Sequence, residues 1–356
     1  MTNPTDDPVG SLAGRAALGR RGRALHPRPL SRRLFLAGAA AGAASLSLAA
    51  CGNGGNSSAA APSGAAGFPV TLTGKEGTAT ISAPPEQVVA LGFQRDAETA
   101  LALGVTPIAM TASVIFPSGI APWAEAVLTN RKPELLNTAN GFPFEKIAAL
   151  RPDVILATDS YELTDAYDRL TQIAPTVSYV EGPDSDTWQQ RVELIGKALG
   201  RAEQAKQVLA DTQNKINQAA TDNPAFAGKT FSFSYVAGGV LEALVGDDAS
   251  VTFLEQLGLT ISPKLVTLPE SEPGRAPISR ENLGVLDAEV MIATAQTDED
   301  RELLESNPLF SQLNAVKNGN FILIPFPVSV ATGFPSPLSI PYALDNIVPA
   351  VAKILA

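Results

Sequence analysis

The sequence predicts an α/β protein built from two similar lobes joined by one long helix. Beyond residue 68, short apolar runs alternate with helical patterns, which is typical of a parallel sheet covered by helices. A helical pattern then extends through residues 187–220. A weak internal repeat relates the segments on either side of that helix, so each side is expected to form a lobe of the same kind.

The first lobe is predicted over residues 68–184. Its strands are expected at Gln87–Gly92, at the run TPIAM, at Pro152–Ala157 and at the run TVSYV. Its helices are expected at the runs DAETALALG, FEKIAAL and ELTDAYDRLTQIA. The apolar runs are short and continuous, which indicates strands that are buried on both faces.

Residues 185–222 are predicted to form the helix between the lobes. Apolar residues recur there at spacings of three and four, namely Val192, Ile195, Leu199, Ala202 and Ala205. The run SDT that precedes the pattern supplies a helix cap, and Gly200–Arg201 marks a kink. At about 1.5 Å per residue, a helix of this length reaches across both lobes.

The second lobe is predicted over residues 223–356. Strands are expected at the runs TFSFSYV, EVMIAT and FILIP, and helices at ASVTFLEQLG and RENLGVL. Phe144–Thr158 aligns with Arg280–Thr294, and the alignment places Glu145 over Glu281. The two lobes are therefore expected to present equivalent helix starts.

Residues 1–50 are predicted to be a signal peptide that the working protein does not carry. Seven arginines precede Leu34–Ala50, a run of 17 uncharged residues that is short and rich in Ala and Gly. The run SRRLFL resembles the twin-arginine export signal, and LAAC resembles a lipobox that ends at Cys51. Cys51 would then carry the lipid, although an ordinary small buried residue is the alternative. Residues 51–67 have linker composition.

Composition excludes several classes of function. Without the leader, 306 residues remain, and their 19 basic and 34 acidic side chains give a net charge of −15, which disfavours nucleic-acid binding. The only histidine, His26, lies in the leader, which excludes Ser-His-Asp catalysis, zinc sites with histidine ligands and histidine-ligated haem. The only cysteine is Cys51, so no disulfide is expected within the chain.

The order and spacing of six runs resemble the substrate-binding proteins of bacterial ABC importers for ferric siderophores, haem or cobalamin. The resemblance extends from about Phe68 to Ala356 and rests on PPEQVVALG, LALGVTPIA, FEKIAALRPDVILA, RVELIGKALGRAEQA, ISRENLGVLDAEVMIA and NPLFSQLNAVKNGNFILIP. It implies the class III periplasmic-binding-protein fold, in which two Rossmann-like lobes are bridged by a rigid helix. The cleft is then expected at the carboxyl ends of the strands.

The resemblance also implies a surface that docks onto a permease. One glutamate on each lobe would meet arginines of the permease, and the matching positions are Glu145 and Glu281. Their equivalence in the repeat suits a partner with two-fold symmetry. The alternative is that both are ordinary carboxylates favoured at helix starts.

Ligand contacts are expected from the loops that follow the strands. The predicted ligand-binding residues are aromatic or cationic: Arg95, Phe116, Tyr161, Tyr235, Arg275 and Phe334. A guanidinium offers forked donors to the oxygens that surround chelated iron, which favours Arg95 and Arg275. The alternative is an arginine paired with a neighbour, such as Arg95 with Asp96 or Glu98. Phe93 occupies the same loop as Arg95.

The predicted protein is a lipid-anchored receptor on the outer face of the cell membrane that binds a ferric siderophore and passes it to a permease. No catalytic residue, resident cofactor or directly bound metal is expected, and the protein is expected to be a monomer. Haem or a corrinoid is an alternative cargo, with Tyr161 or Tyr235 as the haem ligand. An exported hydrolase using carboxylates of the runs DSDTW, GDDAS or TDEDRE is an alternative of another class, as is a scaffold without cargo.

Overall fold

The computed structural model describes residues 67–128 and 132–356, which belong to one compact unit. The predicted signal peptide, the lipidation of Cys51 and nearly all of the predicted linker lie outside the described residues. Within the described ranges, no helix has both the length and the apolar character needed to cross a membrane.

The first sheet has five parallel strands. Antiparallel β1 (Val70–Thr73) and β2 (Thr78–Ile81) precede it, and it contains β3 (Val88–Ala90), β4 (Ala109–Thr111), β5 (Glu134–Leu136), β6 (Val154–Ala157) and β7 (Thr176–Ser178). Its strand order is β5-β4-β3-β6-β7. The helices of this lobe are α1 (Arg95–Ala102), α2 (Pro122–Glu125), α3 (Phe144–Ala149) and α4 (Leu163–Thr171). The predicted parallel sheet is confirmed.

The strands of this sheet are buried on both faces. Val88 and Ala90 of β3 pack in one hydrophobic core, while Val89 and the following Leu91 pack in another. Successive side chains of a strand point to opposite faces, so the two cores are the two sides of one sheet. This arrangement explains why the strands are continuous apolar runs in the sequence.

Two helices connect the lobes. Residues Trp188–Ala198 form α5 and Ala202–Asp222 form α6, which corrects the prediction of one continuous helix. The break lies at the predicted kink, where Gly200 has a φ of +66° and the Arg201 N–H donates to the Gly196 carbonyl at 2.7 Å. The predicted cap is confirmed, since the Thr187 side chain accepts from the Gln190 N–H.

The second sheet is mixed. Its strands are β8 (Thr230–Ala237), β9 (Val240–Leu244), β10 (Thr260–Ile261), β11 (Arg275–Pro277), β12 (Val290–Ala295) and β13 (Phe321–Leu323). The order is β11-β9-β8-β12-β13, with β10 beside the start of β8. Strands β8, β12 and β13 run parallel, whereas β9 is antiparallel to both β8 and β11. The hairpin of β8 and β9, with Gly238–Gly239 at its turn, departs from the parallel alternation that was predicted.

Helices cover this second sheet and join it to the connecting helices. They are α7 (Ala249–Gln256), α8 (Pro263–Val266), α9 (Asp298–Glu305), α10 (Asn314–Lys317), α11 (Phe326–Gly333) and α12 (Ser339–Leu355). Short 3-10 helices occupy Pro224–Phe226, Arg280–Leu286 and Phe310–Gln312. α5 contacts α1 and β1, whereas α6 contacts α7 and α12. Each connecting helix is thus packed mainly against one lobe.

The internal repeat corresponds to a helical turn followed by a central strand. In the first lobe α3 leads to β6 beside β3, and in the second the 3-10 helix Arg280–Leu286 leads to β12 beside β8. The second helical segment, predicted as a helix, is a 3-10 helix with a kink at Asn282, whose dihedral angles are not helical.

Candidate functional site

Two loops of the first lobe are tied together by Asp159. This residue follows β6, and its Oδ2 accepts hydrogen bonds from the backbone N–H groups of Gln94 (3.0 Å) and Arg95 (2.8 Å), which follow β3. Because β3 and β6 are parallel neighbours, their carboxyl ends lie at the same edge of the sheet. The carboxylate therefore fixes the backbone of the loop that carries Phe93 and Arg95.

Arg95 lies in a buried ion pair and does not project freely into a cleft. Its side chain is 5% exposed, and its Nε donates to Asp159 Oδ1 at 2.6 Å. Its Nη2 donates to the Pro183 carbonyl at 2.8 Å and lies 3.3 Å from Asp184 Oδ1. Arg95 is therefore paired, as the alternative reading expected, but its carboxylate partners are Asp159 and Asp184 and not Asp96 or Glu98, while its role as a ligand contact stays a prediction.

The ion pair keeps Asp159 charged. Burial favours the protonated carboxyl, but the positive charges of Arg95 and Arg191 outweigh it and hold the pKa of Asp159 below its usual range. Arg191 is buried as well, and it donates to the Thr158 carbonyl (3.2 Å) and the Pro183 carbonyl (2.9 Å). The floor of this region is thus a polar network that joins β6, α1 and α5.

Aromatic rings from both lobes meet above this network. The Phe93 ring centroid lies 4.9 Å from that of Phe334 and 6.3 Å from that of Tyr161. The Arg95 guanidinium carbon is 5.3 Å from the Phe334 ring centroid. We name Phe93, Tyr161 and Phe334 the first aromatic group. Tyr161 and Phe334, both predicted as ligand contacts, thus lie close together, and Phe93 lies beside both.

Tyr161 presents its ring to solvent. The residue is 52% exposed, and its hydroxyl donates to Asp184 Oδ1 at 2.6 Å. Large exposed aromatic residues commonly mark binding surfaces. The hydrogen bond holds the ring in position beside Phe93.

A second group lies on the other lobe. Tyr235 of β8 stacks on Phe326 at a centroid distance of 6.0 Å and an interplanar angle of 25°. The Arg275 guanidinium carbon lies 5.6 Å from the Tyr235 ring, and Nη2 is 3.6 Å from Asp248 Oδ2. The Arg275 side chain is 31% exposed, so it remains accessible to a ligand. We name Tyr235, Arg275 and Phe326 the second group.

Phe326 was not predicted from the sequence. It is the first residue of α11, three residues beyond β13, and it borders a surface depression together with residues 295–298 and 323–325. Like the predicted candidates, Phe326 is an aromatic residue in the segment that follows a strand, so the same pattern could have identified it. Phe326 begins α11 and Phe334 directly follows it, and the eight residues of α11 span about 12 Å, so this helix sets the distance between the two groups.

Phe116 is corrected to a core residue. It is buried, and its ring packs edge-to-face on Trp123 at 5.6 Å, while Trp123 contacts Tyr342 of α12 at 5.1 Å. These three rings contribute to the largest hydrophobic core. A side chain enclosed in this way does not face a ligand.

A buried hydrogen bond joins the lobes below the aromatic rings. The hydroxyl of Ser336, between α11 and α12, donates to the carboxyl group of Glu98 on α1. Burial raises the pKa of Glu98 to about 8, so this side chain is mostly neutral at pH 7. A neutral carboxyl avoids the cost of an uncompensated charge at this junction.

Glu145 and Glu281 occupy comparable exposed positions. Glu145 is in the first turn of α3, and Glu281 is in the first turn of the 3-10 helix that precedes β12. Each helical segment leads into the strand next to the first strand of its sheet. Their role in docking stays a prediction.

One carboxylate in each run that suggested a hydrolase has structural partners. Asp186 accepts from the backbone N–H groups of Val180 and Glu181 at 2.7 and 2.8 Å. Asp248 caps α7 by accepting from the Ser250 N–H at 2.8 Å. Asp300 accepts from the Gly239 N–H at 2.9 Å. These interactions account for all three residues as loop and helix-end supports.

Comparison with known proteins agrees with this architecture. The family described as periplasmic binding protein matches residues 89–328. The ferric enterobactin-binding periplasmic protein FepB of Escherichia coli is 27% identical over 71% of this chain and 83% of its own length.

Two solved structures extend the likeness to the fold. A periplasmic solute binding protein from Mycobacterium smegmatis has a TM-score of 0.71 and 32% identity, covering 81% of this chain and 99% of that protein. PiaA of Streptococcus pneumoniae in complex with ferrichrome has a TM-score of 0.67 and 28% identity, and the match covers 80% of this chain and 98% of PiaA. The resemblance seen in the sequence is confirmed, and the chain belongs to the periplasmic binding protein family.

Proposed function

We propose that this chain is the binding component of a bacterial ABC importer, which captures an iron(III)–siderophore complex between its lobes and delivers it to a permease. The observation that carries the proposal is the position of the two aromatic groups. Phe93 and Tyr161 follow β3 and β6, Tyr235 and Phe326 lie near the carboxyl ends of β8 and β13, and rings of both lobes meet at Phe93 and Phe334. Open α/β sheets bind their ligands at this edge.

The two groups suit a chelate whose iron is already enclosed. Rings such as Phe93 and Tyr235 can pack against the organic shell, and the partly exposed Arg275 can donate to iron-bound oxygens. No bond is made or broken in such a role. The solved relative PiaA holds ferrichrome, which is a complex of this kind.

The contacts between lobes favour a small closing motion. Phe334 packs on Phe93, and Ser336 donates to the buried Glu98, so the second lobe is held to the first without a ligand. The connecting helices α5 and α6 pack on different lobes and meet at Gly200, which restricts bending to that point. The ligand would therefore enter a largely preformed site.

Delivery requires a membrane tether and a docking surface. We propose that Cys51 carries the lipid after the leader is removed, and that residues 52–66 act as the spacer. The acidic body would be repelled by anionic lipid, which makes a covalent anchor useful. Exposed Glu145 and Glu281 would then meet the permease, one from each lobe.

A titration of the processed chain from Gly52 tests the proposal. Quenching of Trp123 and Trp188 fluorescence would be followed with a ferric hydroxamate, a ferric catecholate, ferric citrate, haem and cobalamin. Saturable quenching by a ferric chelate supports the proposal. Binding of haem or cobalamin alone would show that the cargo is not a ferric siderophore. No response to any of the five would refute the iron-carrier role.

Arg275→Ala locates the site, and Arg169→Ala is its matched control. Both arginines lie over an aromatic ring, Arg275 on Tyr235 and Arg169 on Phe144, but Arg169 belongs to α4 away from the two groups. Loss of binding in the first variant and not in the second places the chelate at the second group.

A further inference from the structure

Arg95 of the first lobe presents no uncompensated positive charge to the cleft. Arg95 contacts two carboxylates, since its guanidinium pairs with Asp159 and lies 3.3 Å from Asp184. The Asp184 side chain is 65% exposed, whereas that of Arg95 is 5% exposed. Asp184 also accepts the Tyr161 hydroxyl. A ligand that reaches this point meets a carboxylate before it meets the guanidinium.

The second lobe also pairs its arginines with acids, but there the arginine is the more exposed partner: the Arg275 side chain is 31% exposed and that of Asp248 is 9% exposed. Arg275 lies 3.6 Å from Asp248, and Arg301 donates to Glu305 at 3.0 Å. Arg301 borders the depression beside Phe326, where Asp298 adds a further carboxylate. Each of these arginines therefore has its charge offset by a neighbouring acid.

What remains exposed to a ligand is mainly aromatic. Phe93 contacts both Tyr161 and Phe334, and Tyr235 stacks on Phe326. The processed chain carries 34 acidic and 19 basic side chains, so the long-range field is negative as well. The carboxylates near the rings and the net charge of the chain therefore both disfavour an anionic ligand.

We infer that the cargo is a ferric chelate without net negative charge, of the trihydroxamate class, and not an anionic catecholate or citrate complex. A neutral or singly cationic chelate buries its apolar shell against the rings without a Coulomb cost. A multiply charged anion has to approach the exposed carboxylate of Asp184 in a region of reduced dielectric constant, and Asp248 offsets the attraction that Arg275 would provide. Membership of the family does not decide this point, because one relative holds ferrichrome and another is named for ferric enterobactin. The inference rests on the proposed function.

The direct test is a titration of the processed chain with four probes by intrinsic fluorescence. Ferrichrome is neutral, ferrioxamine B is cationic, and ferric enterobactin and ferric citrate are anionic. At least one hydroxamate is expected to bind about tenfold or more tightly than either anionic complex. Tighter binding of an anionic complex overturns the inference and leaves the proposed function intact. Failure of all four overturns both.

A pair of charge variants tests the cause. Asp184→Asn removes the outer carboxylate of the first lobe, and Asp211→Asn makes the same change on the exposed surface of α6. Asp184→Asn is expected to narrow the preference for hydroxamate over ferric enterobactin about threefold or more, while Asp211→Asn leaves it unchanged. Equal effects of the two variants would overturn the role of local charge.

Salt supplies a readout that a purely structural role of Asp184 would not change. Raising the ionic strength screens repulsion, so binding of ferric enterobactin should strengthen while binding of neutral ferrichrome stays nearly constant. A fall in ferric enterobactin binding with added salt would indicate attraction and would contradict the inference.

Discussion

Arg95 and Asp159 form a buried ion pair that joins the loop after β3 to the loop after β6. Neither side chain is more than 5% exposed, so removing one partner leaves the other as a buried charge without its ion-pair partner. The pair supports the first aromatic group from below, because Phe93 precedes Arg95 by two residues and Tyr161 follows Asp159 by two.

Arg95→Ala should lower the free energy of unfolding by about 3–5 kcal/mol, because the buried carboxylate of Asp159 would lose its ion-pair partner. Chemical denaturation measures this loss. The control Arg169→Ala removes an exposed arginine over Phe144 and should cost less than about 1 kcal/mol. The double variant Arg95→Met with Asp159→Leu should recover part of the loss, and a cost below 1 kcal/mol for Arg95→Ala would contradict the ion-pair account.

Glu98 should make the protein less stable as the pH rises. Its pKa is about 8 in the folded chain and near 4.5 when exposed, so its contribution is fully present below about pH 4.5 and is lost as the pH rises towards 8. The expected slope from this group approaches about 1.4 kcal/mol per pH unit within that window.

Glu98→Gln keeps the shape of the side chain and removes its titration. The pH dependence of unfolding should flatten between pH 5 and 8 in this variant, over the window set by the pKa of about 8. The control Glu125→Gln, on the exposed surface of α2, should keep the slope of the original chain. An unchanged slope in Glu98→Gln would show that Glu98 is already ionised at pH 7.

Gly200 should be far less tolerant of alanine than Gly228. Both residues have positive φ, of +66° and +73°, so both substitutions carry a backbone cost of about 1–2 kcal/mol. A Cβ at Gly200 would also lie 2.6 Å from the Phe68 ring, whereas nothing lies within 4 Å of one at Gly228. Thermal unfolding should show a loss for Gly200→Ala that is larger by about 1 kcal/mol or more. Equal losses would mean that Phe68 moves aside freely.

Glu145→Ala together with Glu281→Ala should abolish iron uptake and leave chelate binding unchanged. Both residues are exposed and lie outside the two aromatic groups, so only the permease contact should be lost. Growth on the ferric siderophore as sole iron source, compared with binding by the purified variant, separates the two effects. The control pair Glu125→Ala and Glu255→Ala removes one exposed helical glutamate from each lobe and should support normal uptake.

Local patterns in the sequence predicted the strands and the loops that follow them, but not the partners made across the fold. Strands β3, β4, β6 and β7 and the Thr187 cap were correctly predicted because each depends on a few adjacent residues, whereas β1, β2 and β5 were not predicted. The pairing of Arg95 with Asp159 joins residues 64 apart, and it follows from the register of β3 with β6, which no local pattern records.

Two other differences between the predicted and observed structure have local causes. Apolar spacing of three and four continues through Gly200, yet the left-handed turn there ends α5 and starts α6 in a new direction. Phe116 was selected because it lies in a loop after a strand, but that loop folds back so that the ring packs on Trp123. Loop position indicates which edge of the sheet a residue is near, and burial decides whether it faces the ligand.

The most direct test of the account is ferrichrome binding by Phe334→Ala, with Phe144→Ala as the matched control. Both rings are partly buried and each lies near an arginine, but only Phe334 meets Phe93 from the opposite lobe. Phe334→Ala is expected to weaken ferrichrome binding about tenfold or more, and Phe144→Ala is expected to bind like the original chain. Unchanged ferrichrome binding in a folded Phe334→Ala variant would place the cargo elsewhere and contradict the account.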